Sequence, residues 1–177
     1  MIDELLSTLT LITALGCELV AGLLYAFSTS VMQALARLPV PQGITAMQSI
    51  NVAMINPLLF VGAFFGTAAA CVLILVLSLL RWSEAGAVYL ISGGLVYLIG
   101  TILVTMAFNV PRNNALAAAD PQSANGARFW AGYVTSWTAW NHVRTAAALV
   151  AAVLLTLAFS QSAAGCSDGI STILIPD

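Results

Sequence analysis

Trp137, Asn141 and Arg144 follow one another at steps of four and three residues, with Trp140 and His142 between them. At about 100° per residue these three positions and Ala148 fall on one helical stripe, because the step from 137 to 144 ends about 20° short of two full turns. His142 lies on another face, about 200° from Arg144, beside Thr138 and Thr145. The stretch from Val143 to Phe159 is apolar, so Arg144 sits inside a hydrophobic boundary. There it must find partners, line a ligand site, or reach outward to lipid headgroups.

Other polar residues enter at the same depth. Ser28 and Thr29 lie about 10 Å below the end of the first apolar stretch at 1.5 Å per residue, level with the expected height of Arg144. Asn56 opens the second stretch and Asn109 closes the third at that side, while Gln48, Asn51, Asn113 and Asn114 lie in the adjoining connections. Taken singly, such amides read as caps of helix ends and turns. Together, carboxamides, hydroxyls, one Arg and one His converge near one membrane face, where polar groups are costly unless they pair. This grouping is the candidate site.

The elements that hold these residues follow from composition. The chain has 177 residues, 60% hydrophobic and only 7% charged, against about 25% charged for a soluble domain. That is too little polar surface to coat a water-facing globule, so the natural solvent is the lipid bilayer. A spanning helix needs about 20 mostly apolar residues. Four such stretches occur: Leu5 to Leu35, Pro57 to Leu80, Ala85 to Val110 ending at Pro111, and Val143 to Phe159, extended upstream by the aromatic run from Phe129 to Trp140. The fold class expected is all-α, an integral membrane four-helix bundle with an interfacial helical connection between spans 1 and 2. Residues 1–160 form one domain and residues 161–177 a flexible tail. Pro39, Pro41 and Gly43 mark the turn after the first span.

The acidic start Met1-Ile2-Asp3-Glu4 argues against a signal peptide, so the first span is expected to be retained. Arg37, Arg112 and Arg128 lie in the connections 36–56 and 111–136, against Arg81 on the other side. The positive-inside tendency places those connections in the cytoplasm. With five Arg, no Lys and a net charge of −2, the chain has no basic patch for nucleic acid. Cys17, Cys71 and Cys166 are far apart and read as free thiols. The chain carries no H-E-x-x-H, C-x-x-C, phosphate-binding loop or nucleophile elbow. A single His does not build a metal centre, so neither a metal nor a cofactor is expected. Glu18 interrupts the first span about 27 Å from its connection end. It reads either as a proton carrier or as a neutral acid bonded to a neighbouring span. Gly62 and Gly66 form a G-x-x-x-G that suits helix contacts or a homo-oligomer face.

Three segments carry a resemblance. Ala26-Phe-Ser-Thr-Ser-Val-Met-Gln-Ala-Leu35, followed by Gly43-Ile-Thr-Ala-Met-Gln-Ser-Ile-Asn51, resembles the first motif of the anthrone oxygenase-like family of small, mostly bacterial and fungal membrane proteins. Asn109-Val-Pro-Arg-Asn-Asn-Ala-Leu116 resembles its N-x-P-x-N-x-x-L segment, and Trp137-Thr-Ala-Trp-Asn-His-Val-Arg-Thr145 its W-x-x-W-N-x-x-R-T segment. The likeness spans roughly residues 5 to 160, although Glu18 stands where relatives are expected to carry a small residue.

The resemblance implies four spans, location in a bacterial inner membrane and oxidation of an anthrone to an anthraquinone by molecular oxygen, without metal or flavin. In that chemistry His142 is the candidate base, histidine being the usual general base near neutral pH. Arg144, Asn141 and Asn109 would stabilise the developing enolate oxygen, and Trp137 and Trp140 would wall a polycyclic substrate. Ser28, Gln48, Asn51 and Asn113 complete the ligand-contact set. The expected partners are a lipophilic small molecule and the bilayer. The rival reading is a non-catalytic small membrane protein, either a transporter or a scaffold for a partner.

Overall fold

The computed structural model describes residues 2–55, 58–84 and 86–174, with side chains described at 4–54, 62–84 and 86–161. Among the described residues the chain is helical throughout, with no strand, in five rods. Helix α1 covers residues 2–36, α2 is Val40–Ile55, α3 is Leu58–Leu80, α4 covers residues 87–117 and α5 is Ala124–Leu174. All but α2 contain a segment long and apolar enough to cross a membrane: Glu4–Ala36, Gly62–Leu80, Ala87–Ala117 and Ala124–Gln161. The short α2 joins the first two. The protein is thus an all-helical integral membrane protein.

The spanning helices pack in the cyclic order α1, α5, α4, α3. Small residues set the close approaches, as expected where helices associate without a hydrophobic driving force. Gly93 lies against Leu155, Gly94 against the Cys71 carbonyl, Gly100 against Ala147 and Gly16 against Thr67. Gly62 and Gly66 take no part in this packing, since the space beside each is open. One core cluster, around Cys17, Ala21, Ile74, Tyr97, Ala148 and Leu155, fills the half of the ring nearer the N-terminus. A second, of Met32, Ile44, Met47, Leu116, Tyr133 and Trp137, lies at the connection end, where α2 folds over α1 and α5.

Two boundaries differ from the sequence expectation. Helix α4 does not end at Pro111 but continues to Ala117. A proline inside a helix lacks its N–H, and its ring crowds the carbonyl four residues back. Here the helix reaches it through π-helical stretches at Leu98–Leu103 and Thr105–Asn109, and Pro111 falls in the first turn of the segment Val110–Ala117. In a first turn the missing donor costs little. Likewise Pro41 is the second residue of α2, so the first turn of chain reversal is confined to residues 37–39. The second connection shrinks to residues 118–123. The backbone of α5 is described to Leu174, past the start of the expected tail, while Asn56 and residues 175–177 lie outside the described residues.

Candidate functional site

A cavity of about 350 Å³ opens between the two core clusters, bounded by α1, α2, α3, α4 and α5. Its volume is at the lower end of the roughly 300–1,000 Å³ typical of small-molecule sites. Its walls are mostly apolar, with Phe27, Phe64, Phe65, Met47, Met106 and Trp137 supplying the broad surfaces. Seven of the sequence-derived residues line it: Gln48, Asn51, Asn109, Asn113, Asn114, Trp137 and Arg144.

Hydrogen bonds hold several of them in place. Gln48, on the inner side of α2, donates through Nε2 to the carbonyls of Leu116 and Ala119 at 2.9 and 3.0 Å, which pins α2 to the end of α4. Asn113 Oδ1 accepts from Tyr133 Oη at 2.9 Å and from Trp137 Nε1 at 2.8 Å, orienting both rings. Asn109 ends the second π-helical stretch and donates through Nδ2 to the Trp137 carbonyl at 3.3 Å. Its Oδ1, buried, has no partner, and neither has the Nδ2 of Asn51. π-Helical turns often occur at functional sites because they rotate the following side chains relative to a regular helix, and here one delivers Asn109.

Arg144 is the centre of the arrangement. It is only 5% exposed, its guanidinium lies 6.0 Å from the centroid of the Phe64 ring, and its Nε has no hydrogen-bond partner. Among the described residues no carboxylate pairs with it and its side chain donates no hydrogen bond. A buried cation in that condition is costly unless a ligand completes it. The polar atoms left open, on Arg144, Asn51 and Asn109, are those that a ligand oxygen or hydroxyl would engage.

Four of the sequence-derived residues lie elsewhere. Asn141 is fully buried on the expected stripe with Trp137 and Arg144, but its Nδ2 donates at 2.6 Å to both the Leu24 carbonyl and Ser28 Oγ. Ser28 and Asn141 therefore form a clamp between α1 and α5 behind the cavity wall. Trp140 stacks on Phe108 with centroids 3.5 Å apart and planes within 6°, outside the cavity lining. His142 is exposed on the outer face of α5, as the 200° offset from Arg144 requires. The wall residues Phe64, Phe65 and Met106 carry no sequence signal that separates them from other apolar span residues. Among the described residues no group of three or more His, Cys, Asp and Glu side chains is placed to hold a metal ion.

Four helices able to span a membrane thus enclose a mostly apolar cavity with a buried cation at its wall. The chain belongs to the anthrone oxygenase family: the family model matches residues 57–154, more than half of the sequence. That stretch runs from α3 into α5 and includes Asn109, Asn113, Trp137, Asn141 and Arg144. Comparison with curated proteins and with solved structures returns no match.

Proposed function

We propose that the cavity binds a planar lipophilic ketone of the anthrone type and promotes its oxidation by molecular oxygen to the corresponding quinone. The observation that carries this reading is Arg144: a buried guanidinium with no hydrogen-bond or carboxylate partner among the described residues, at the wall of an apolar cavity. The methylene of an anthrone is acidic because its carbanion is delocalised onto the carbonyl oxygen as an enolate. A fixed cation against that oxygen favours ionisation, and the electron-rich carbon then reacts with oxygen. Per turnover the methylene loses two hydrogens and gains one oxygen atom as the new carbonyl, while the second oxygen atom leaves as water. Arg144 holds the enolate oxygen, Asn109 and Asn51 orient the substrate's hydroxyl or carbonyl groups, and the aromatic walls exclude bulk water.

Purified protein in detergent, supplied with an anthrone under air, is expected to form quinone faster than protein-free micelles, with one oxygen molecule consumed per quinone. Equal rates with and without protein would overturn the reading. Both methylene hydrogens end in the water formed from oxygen, and His142, whose ring is on the outer face, takes no part. Quinone formation by His142→Ala is therefore expected to stay within about twofold of wild type; a loss of a hundredfold would restore His142 as the base.

The bacterial inner membrane and the orientation with both helical connections in the cytoplasm belong to the same proposal. They are supported by Arg37, Arg112 and Arg128 at that end against Arg81 at the other.

A further inference from the structure

The outward face of α1 carries a group that neither the cavity nor the packing of the four helices uses. Glu18 is exposed on that face. The spanning segment Glu4–Ala36 has 33 residues, which places Glu18 about 21 Å along the helix from one end and about 27 Å from the other. It thus lies near the bilayer middle, about 15 Å from either headgroup layer, farther than a Glu side chain reaches. Among the described residues it makes no hydrogen bond and no ion pair. A carboxyl facing hydrocarbon needs a hydrogen-bonding partner whichever protonation state it adopts, and none of the described residues supplies one.

The surrounding residues indicate how the partner approaches. Leu11, Leu15, Glu18, Gly22 and Tyr25 are all exposed and step by four, three, four and three residues, the 3.5-residue period of a helix seam that crosses a like helix with a left-handed twist. Gly22, one turn beyond Glu18, has open space beside it, so a second backbone can come close at the height of the carboxyl. The open Gly62 and Gly66 seam of α3 has the small residues but no group that demands a partner.

We propose that the Leu11, Leu15, Glu18, Gly22 and Tyr25 seam pairs with the same seam of a second copy of the chain. A two-fold axis along the membrane normal sets an identical carboxyl opposite Glu18 at the same depth, by symmetry and without any further matching. The two carboxyls then satisfy each other, each O–H donating to the other's carbonyl oxygen.

The test uses the full-length protein, singly labelled and reconstituted in phosphatidylcholine vesicles at low protein-to-lipid ratio, with the dimer fraction counted by single-molecule photobleaching. Wild type is expected to be dimeric. Glu18→Leu lowers the association constant about tenfold, in line with interhelical hydrogen bonds in membranes. Glu18→Gln, whose amide can pair reciprocally, retains most of it. Since Glu18→Leu replaces an acid by an apolar residue on a lipid-facing surface, unchanged helix content by circular dichroism separates loss of pairing from loss of fold. In a Cys166→Ser background, Leu15→Cys and Tyr25→Cys cross-link readily, whereas Ile12→Cys, off the seam, does not. A monomeric wild type, a Glu18→Leu protein as dimeric as wild type, a Gln variant as weak as the Leu variant, or cross-linking confined to Gly62→Cys and Gly66→Cys would each overturn the proposal.

Discussion

Arg144→Ala is expected to lower kcat for anthrone oxidation by about 10²- to 10³-fold, the scale seen when one preorganised donor to a developing oxyanion is removed. The bound ketone is neutral and its enolate is charged, so the guanidinium interacts more strongly as the reaction proceeds. Interactions that strengthen toward the transition state appear in kcat, whereas uniform binding appears in KM. KM is therefore expected to move less than about threefold. Arg144→Lys keeps the charge but loses the planar fork of donors, and an intermediate loss of about tenfold follows.

A different substitution at this position has an opposite signature in stability. Arg144 is 5% exposed with an unpartnered Nε, so its burial is a cost to the empty protein. Replacing buried charged groups by apolar residues of similar volume is often neutral or stabilising. Arg144→Met is thus expected to raise the thermal midpoint of the ligand-free protein in detergent, or leave it unchanged, while activity falls. A variant that unfolds readily would make Arg144 structural, and one with wild-type kcat would remove the proposed site. Activity loss with retained stability is the pattern that only a ligand-directed cation gives.

What could be read beforehand divides along physical lines. Long apolar stretches and a 3.6-residue period are local properties, so the four spans and the stripe of Trp137, Asn141 and Arg144 were legible, as was the placement of His142 on another face. The passage of α4 through Pro111 was not, because it depends on π-helical stretches that a regular period does not contain. Nor was the division of labour among the amides. Asn141 and Asn109 have the same chemistry in sequence, and each spends its donor across a helix contact and keeps an unpaired oxygen, but only Asn109 lines the cavity. That difference is set by which helix stands opposite. Trp140 has the planar apolar ring that a wall for a polycyclic substrate needs, yet Phe108 of α4 captures its face. Glu18 was legible as an anomaly but not as an outward one, since the exposed side of α1 is fixed only once α5 and α3 cover the others.

Asn141→Leu is expected to give the largest loss of stability among single substitutions near the site, about 2–4 kcal/mol. Its Nδ2 makes two hydrogen bonds of 2.6 Å across the contact of α1 with α5, at a position with no exposed surface. An interhelical bond in a membrane protein contributes about 0.6 kcal/mol on average and up to about 1.7, so two of them supply about 1 to 3 kcal/mol of the loss. The remainder comes from the groups left behind. Ser28 is buried and loses its partner, and a branched apolar side chain must enter a space shaped for a flat amide. Because Ser28 lies in the π-helical turn Phe27–Val31, loosening this clamp also shifts Phe27, which walls the cavity. The expected result is a lower thermal midpoint together with a raised KM for the anthrone, whereas Ser28→Ala, which leaves the bond to the Leu24 carbonyl intact, costs about 1 kcal/mol. An Asn141→Leu protein as stable as wild type would show that the α1 and α5 contact is held by the packing of Ala21, Ala148 and Ala152 alone, and that the clamp is dispensable.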